Sequence, residues 1–222
     1  MLQTIVVWFI KLTPQTKRWF WKSWYTIFAK RYNNPELQCM NYGYFDENLS
    51  PQLKPENEKE RYPLQLYHHV ASQTDISDKI VLEVGSGRGG GASYLSKTLK
   101  PSQYIGIDIS GAAVDLCSAL YNQENLSFKV GDSEKIPFEN SSVDIIINVE
   151  SSHCYGSFSG FLKELYRVLK PGGEFLFCDF RPSEEIESLL SKFEPAGFIK
   201  ENYKDITGSR GKNGNVFRHV IV

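Results

Sequence analysis

The chain lacks a long apolar run, a net charge and a cysteine framework, and each shortage removes a class of protein. The apolar stretch Leu2–Ile10 is interrupted by Gln3 and Thr4. It is too short to span a bilayer, which takes about 20 residues. No basic residue precedes it, as one would in a secretory leader, because the first charge is Lys11. Neither a signal peptide nor a transmembrane helix is expected. A net charge of −1 lacks the basic excess of a dedicated nucleic-acid binder, so no nucleic-acid partner is expected. The four cysteines, Cys39, Cys117, Cys154 and Cys178, form no C-x-x-C pair. They read as buried free thiols in the reducing cytoplasm, not as a zinc site or a disulfide frame.

Acid is missing altogether from residues 1–35. That segment carries Lys11, Lys17, Arg18, Lys22, Lys30 and Arg31, a net +6 that leaves −7 for the rest of a −1 chain. It also holds all four tryptophans. Residues 15–31 read as a helix in which aromatic and basic residues interleave. Such a helix either rests in a membrane interface, with Trp among the headgroups and Lys or Arg on phosphate, or packs on its own domain as a cover over a binding site. A weak peripheral membrane contact through residues 1–35 stays open beside a cytoplasmic location. Residues 47–61 are a polar loop, and helix resumes over about 62–72 with Leu64, Leu66, Tyr67 and Val70 as its apolar stripe. Residues 1–72 are therefore read as a helical cover and loop, and 73–222 as the binding domain.

From Lys79 onward strand and helix alternate. The strands fall at about 80–84, 104–108, 126–130, 143–149 and 173–179, and the helices at about 89–99, 111–121, 157–169 and 183–193. This pattern predicts an α/β fold, a Rossmann-like doubly wound and mostly parallel sheet with helices on both faces. Residues 198–206 and 216–222 are expected to close the sheet as a hairpin around the turn 208–214.

The most informative segment is Val81-Leu82-Glu83-Val84-Gly85-Ser86-Gly87-Arg88-Gly89. A strand enters a glycine-rich turn that opens a helix, and the glycines let backbone approach a ligand that side chains would exclude. Asp108 ends the next strand, where a nucleoside ribose is gripped in such folds. Val130-Gly131-Asp132 follows the third strand, where an acid can accept from an adenine amino group. Glu83 stands where a carboxylate can face an ammonium group. The glycine spacing alone also suits an NAD-binding protein, whose short-chain members need a Tyr-x-x-x-Lys pair for hydride transfer.

These residues, with Leu169-Lys170-Pro171-Gly172-Gly173, resemble the class I S-adenosylmethionine (SAM)-dependent methyltransferases. Further segments narrow the likeness: Met40-Asn41-Tyr42-Gly43-Tyr44, Gln65-Leu66-Tyr67-His68, Asn148-Val149-Glu150-Ser151-Ser152-His153-Cys154-Tyr155 and Asp179-Phe180-Arg181-Pro182. They resemble the mycobacterial phthiotriolone/phenolphthiotriolone dimethylcocerosate methyltransferase family over about residues 17–206. That family's C-terminal region is longer than the one here.

The resemblance implies a SAM cofactor held by Glu83, Gly85, Ser86, Gly87, Gly89, Asp108, Ile109, Asp132, Ser133 and Asn148. It implies a small lipid-like or polyketide acceptor, with O-methylation favoured over sterol-type C-methylation and over a non-catalytic SAM-binding module. His153, just past the fourth strand, is the expected general base, with a pKa near its ordinary value. Glu150 is its rival or its orienter. Tyr42, Tyr44 and Tyr155 are the expected cover and substrate contacts. His68 and His69 are read as structural.

Overall fold

A computed structural model describes residues 13–31, 37–48, 51, 53–206 and 217–221. Its sheet is built from β1 (Ile80–Val84), β2 (Gln103–Asp108), β3 (Leu126–Val130), β4 (Val143–Val149), β5 (Leu169–Pro182), β6 (Lys204–Asp205) and β7 (Phe217–Ile221). The strand order is β3-β2-β1-β4-β5-β7-β6. The first five strands run parallel and β7 is antiparallel to both neighbours. The chain reverses its direction of winding between β1 and β4, which opens the ligand crevice of such sheets at their carboxyl ends.

Among the described residues six α-helices flank the sheet: α1 (Pro14–Arg31), α2 (Arg61–Ala71), α3 (Gly90–Thr98), α4 (Gly111–Leu120), α5 (Phe158–Val168) and α6 (Ser183–Leu190). Local chemistry sets their starts. Ser157 caps α5 by accepting from Gly160 N–H at 3.0 Å, and Ser110 caps α4. Phe161, Leu162, Leu165 and Val168 form the buried stripe of α5, and with Ile186 and Leu189 of α6 they pack against one face of the sheet. Leu64, Leu66 and Val70 of α2 and Leu95 of α3 belong to a second core. Leu64, Leu66, Tyr67, Val70 and Ala71 thus pack in the same core as β1 and β4 residues. All four cysteines are buried.

Two expectations need adjusting. β5 starts at Leu169, not at Gly173. Leu169 pairs with Val143 and Glu174 with Ile145, so Lys170–Gly173 bulge out while the ladder continues on either side. The closing hairpin is narrower than expected, with Lys204–Asp205 alone pairing with β7. Its expected turn lies outside the described residues.

Candidate active site

The carboxyl ends of the strands open on a cavity of about 430 Å³. After β1, Gly85, Gly87 and Gly89 take φ values of 80°, 54° and 74°, a region that side chains resist. The turn is tied to β2. The N–H groups of Gly85 and Ser86 both donate to the Ile107 carbonyl, at 2.8 and 3.0 Å. The Gly87 N–H donates to Asp108 Oδ2 at 3.0 Å, and the Ser110 N–H to Asp108 Oδ1 at 2.8 Å. Burial nevertheless pushes the Asp108 carboxyl up to about 6. Gly85, Ser86, Gly87, Asp108 and Ile109 line the cavity, and so do Asp132 and Ser133 beyond β3. Asp132 is not free, since its Oδ2 pairs with the guanidinium of Arg18 on α1.

Four expected contacts do not line the cavity. Glu83 lies fully buried beneath it, its Oε1 accepting from Tyr67 at 2.8 Å and its Oε2 from Tyr104 at 2.9 Å. Burial pushes it up to about 7 against those two hydrogen bonds. It supports Tyr67, which does line the cavity. Gly89 turns away: a Cβ there would meet Phe128, Tyr121 and Cys117 at 2.8–3.0 Å, so it serves helix–strand packing. Asn148 is fully buried and donates to the Val84 carbonyl at 2.7 Å and to Tyr155 Oη at 2.9 Å, bracing the end of β1. Tyr44 stacks on His69 of α2 at 4.6 Å instead of folding over the site.

His153, Glu150, Tyr42 and Tyr155 do line it. His153 sits in a 3₁₀ turn, Ser152–Cys154, just after β4. Its Nδ1 is 2.9 Å from Asp179 Oδ1 of β5, and its N–H donates to Asp179 Oδ2, also at 2.9 Å. The Ser152 hydroxyl donates to that same oxygen, and Arg181 Nη1 lies 2.8 Å from it. Burial opposes charge on Asp179, yet Arg181, His153 and Ser152 hold its carboxyl well below the usual range. Burial likewise pulls the imidazole down, but hydrogen bonding to Asp179 and Cys154 and their charge outweigh it, and His153 is pushed up to about 9. The expectation of an ordinary histidine pKa is therefore corrected: a buried carboxylate partner favours the imidazolium. Glu150 holds a left-handed φ of 44° and accepts from the Tyr42 N–H at 2.9 Å. Tyr155 Oη lies within hydrogen-bonding reach of Asn148, Ser151 and the Val84 carbonyl.

Arg18, Trp21, Lys22 and Tyr25 of α1 cross the cavity. Trp21 stands edge-on to His153 at 6.4 Å, and Phe180 packs on the imidazole at 4.3 Å. Sequence reasoning assigned no role to Asp179, Phe180 or these α1 side chains, although it singled out both segments. His68 contacts Tyr94 Oη through Nδ1 at 2.8 Å and takes no part in the site.

The cavity fits a nucleoside-bearing cofactor. Ser86 Oγ is buried without a hydrogen-bond partner among the described residues, in a wall kept open by glycine. A carboxylate stands at the end of β2 to accept from ribose hydroxyls. The Tyr-x-x-x-Lys spacing of a hydride-transfer enzyme does occur, at Tyr166 and Lys170. It lies at the opposite end of the sheet, where Lys170 pairs with Asp144 at 2.8 Å.

Comparisons agree with this geometry. Residues 82–177 match the methyltransferase domain family. The chain is 40% identical over 203 residues to a probable phthiotriol/phenolphthiotriol dimycocerosates methyltransferase of Mycobacterium ulcerans, covering 91% of this chain and 76% of that protein. It is 42% identical over 163 residues to a fatty-acid O-methyltransferase of Mycolicibacterium smegmatis, covering 73% of this chain and 60% of that one. Among solved structures, geranyl diphosphate C-methyltransferase from Streptomyces coelicolor superposes with a TM-score of 0.66 at 19% identity, over 89% of this chain and 96% of that one, a likeness of fold. The glycine turn, the acid ending β2 and the relatives lead to one conclusion: the chain belongs to the SAM-dependent methyltransferases, in the family of the phthiotriol/phenolphthiotriol dimycocerosates methyltransferases.

Proposed function

We propose that this protein methylates an oxygen of a lipid-like or polyketide acceptor, with His153 handling the proton. The observation that carries the reading is the His153–Asp179 pair set into the same cavity as the glycine turn. SAM, when bound, supplies a methyl group already activated by its sulfonium. Gly85, Ser86, Gly87 and Asp108 are the residues to hold it, with Ile109, Asp132 and Ser133 beside its base. Asp179 occupies Nδ1 of His153 and so fixes the tautomer that leaves Nε2 as the acceptor. Trp21 and Phe180, packed on the imidazole, give the acceptor an apolar wall. The names of both relatives support a lipid acceptor.

The raised pKa of His153 favours a second reading within the same class. An imidazolium at neutral pH suits an acceptor carboxylate, which needs an ion partner and no base. The two readings differ in sign. Turnover of an alcohol rises with pH through the His153 pKa, and turnover of a carboxylic acid falls through it. Labelled SAM offered with hydroxylated lipids and with fatty acids decides between them. Label found on carbon instead of oxygen overturns both and turns attention to Glu150 as a carboxylate that steadies a cation. Label entering only protein or nucleic acid overturns the small-molecule reading.

A further inference from the structure

The helix α1 has two working faces, and only one serves the cavity. Arg18, Trp21, Lys22 and Tyr25 face inward. Around the helix from them, Trp19, Trp24 and Ile27 are 63%, 53% and 56% exposed, and Phe20 stacks on Trp24 at 6.5 Å to extend the aromatic surface. Large apolar side chains grouped in water mark an interaction surface. Their setting is cationic: Arg31 is exposed, and no acid occurs anywhere in residues 1–35. No helix among the described residues is long and apolar enough to cross a membrane, so a surface contact is the form available to this one.

The geometry points to an anionic lipid surface as the partner of this outward face of α1. Trp19 and Trp24 sit among the headgroups, Ile27 reaches the acyl boundary, and Arg31 meets lipid phosphate. Charge complementarity selects lipid here, because no acid occurs in residues 1–35 to pair with the cations of a second copy's helix, whereas anionic headgroups pair with them. The placement of the cavity adds a reason that rests on the lipid-acceptor reading. A space of about 430 Å³, shared by cofactor and acceptor, admits only the reacting end of a long-chain lipid. A cover helix lying on the membrane brings that end to the cavity while the tail stays in the bilayer.

A purely ionic contact disappears in high salt, because exposed charges are screened. Seated tryptophans add a part that persists. The test is sedimentation of the full chain with vesicles of phosphatidylcholine containing anionic phosphatidylglycerol, against phosphatidylcholine alone, in 0.1 and 0.5 M salt. Binding should need the anionic lipid for full strength and keep a measurable fraction at 0.5 M. Arg31→Gln should weaken it about fivefold at low salt, the effect of one cation near such a surface. The double variant Trp19→Ser, Trp24→Ser should abolish the salt-resistant fraction while its melting temperature and its SAM affinity stay unchanged.

Wild-type protein that stays in the supernatant overturns the proposal. Double-variant protein that binds like wild type also overturns it and moves the contact to residues 1–12. A concentration-dependent dimer that the double variant loses, without vesicle binding, assigns the face to self-association and overturns it too. The binding assay contains no acceptor, so its failure is distinguishable from failure of the lipid-acceptor reading.

Discussion

Replacing Asp179 with asparagine tests the proton chemistry most directly. The wild-type imidazole is held at about 9 by the hydrogen bonds and charge of Asp179 and Cys154, against a burial effect that pulls it down. Removing the Asp179 charge should therefore move its midpoint down from about 9, each unit of the fall being worth about 1.36 kcal/mol. At pH 7.5 the wild-type imidazole is mostly charged, and the variant should hold a larger neutral share. With an alcohol acceptor, kcat/KM of the wild type should climb about tenfold per pH unit toward 9. The variant should level off at a lower pH than the wild type, at a plateau lowered by roughly 10²–10⁴-fold, because its imidazole has lost the group that orients it. NMR titration of the imidazole, assigned with His153→Ala, reads the midpoint without any acceptor. The substitution strands the buried guanidinium of Arg181, at a cost of about 3–5 kcal/mol. The pair Asp179→Asn, Arg181→Gln keeps the network neutral and serves as the folded control. A wild-type imidazole that titrates near 6.5, or a midpoint that stays at 9 in both variants, refutes the reasoning.

Two further outcomes follow from the glycine turn and the acid beneath it. Gly85→Val should fail to fold stably, because its Cβ collides with Ser151 Oγ and Tyr155 Oη, whereas Gly87→Val meets only the terminal methyl of Met40 but strains a φ of 54°, so it should melt lower than wild type, stay folded and lose SAM binding by calorimetry; equal SAM affinity in Gly87→Val and wild type contradicts the placement. Glu83 is raised from 4.5 to about 7, so its contribution is present below pH 4.5 and lost as pH rises through 7, about 3 kcal/mol in all. Glu83→Gln should remove that part of the pH dependence of the melting temperature, and parallel curves for the two proteins would show that Glu83 does not titrate there.

Much of the fold is legible in the chain because short runs rich in Val, Ile and Phe, set between glycine turns and serine caps, carry their own boundaries. The bulge at Lys170–Gly173 was hidden because it is a property of the pairing of β5 with β4, not of β5 alone. The site is legible where backbone makes it. Gly85, Gly87 and Asp108 follow from the shape of a strand–turn–helix. It is less legible where packing decides which way a side chain turns. Glu83 and Gly89 belong to the right motif but face the core, one toward Tyr67 and Tyr104, the other toward Phe128. Asp179 was invisible as a partner because its link to His153 joins two strands, β4 and β5, across the sheet. Its effect on the histidine pKa arises only once both are buried.

The position of β7 bears on how the protein comes into being. It follows every other strand in sequence, yet it lies inside the sheet, where Val220 pairs with Asp179 and Phe217 with Pro182. The glycine turn, Asp108 and Asp132 lie on β1 to β3 and the turns after them, all ahead of β4 in the chain. The strand that carries the partner of His153 stays an open edge until residues 217–221 have emerged. On the proposed reading, a chain cut ahead of β7 should lose the backbone partner of Asp179 and with it the framing of His153, so it should transfer poorly; a truncated protein with wild-type turnover would refute that dependence.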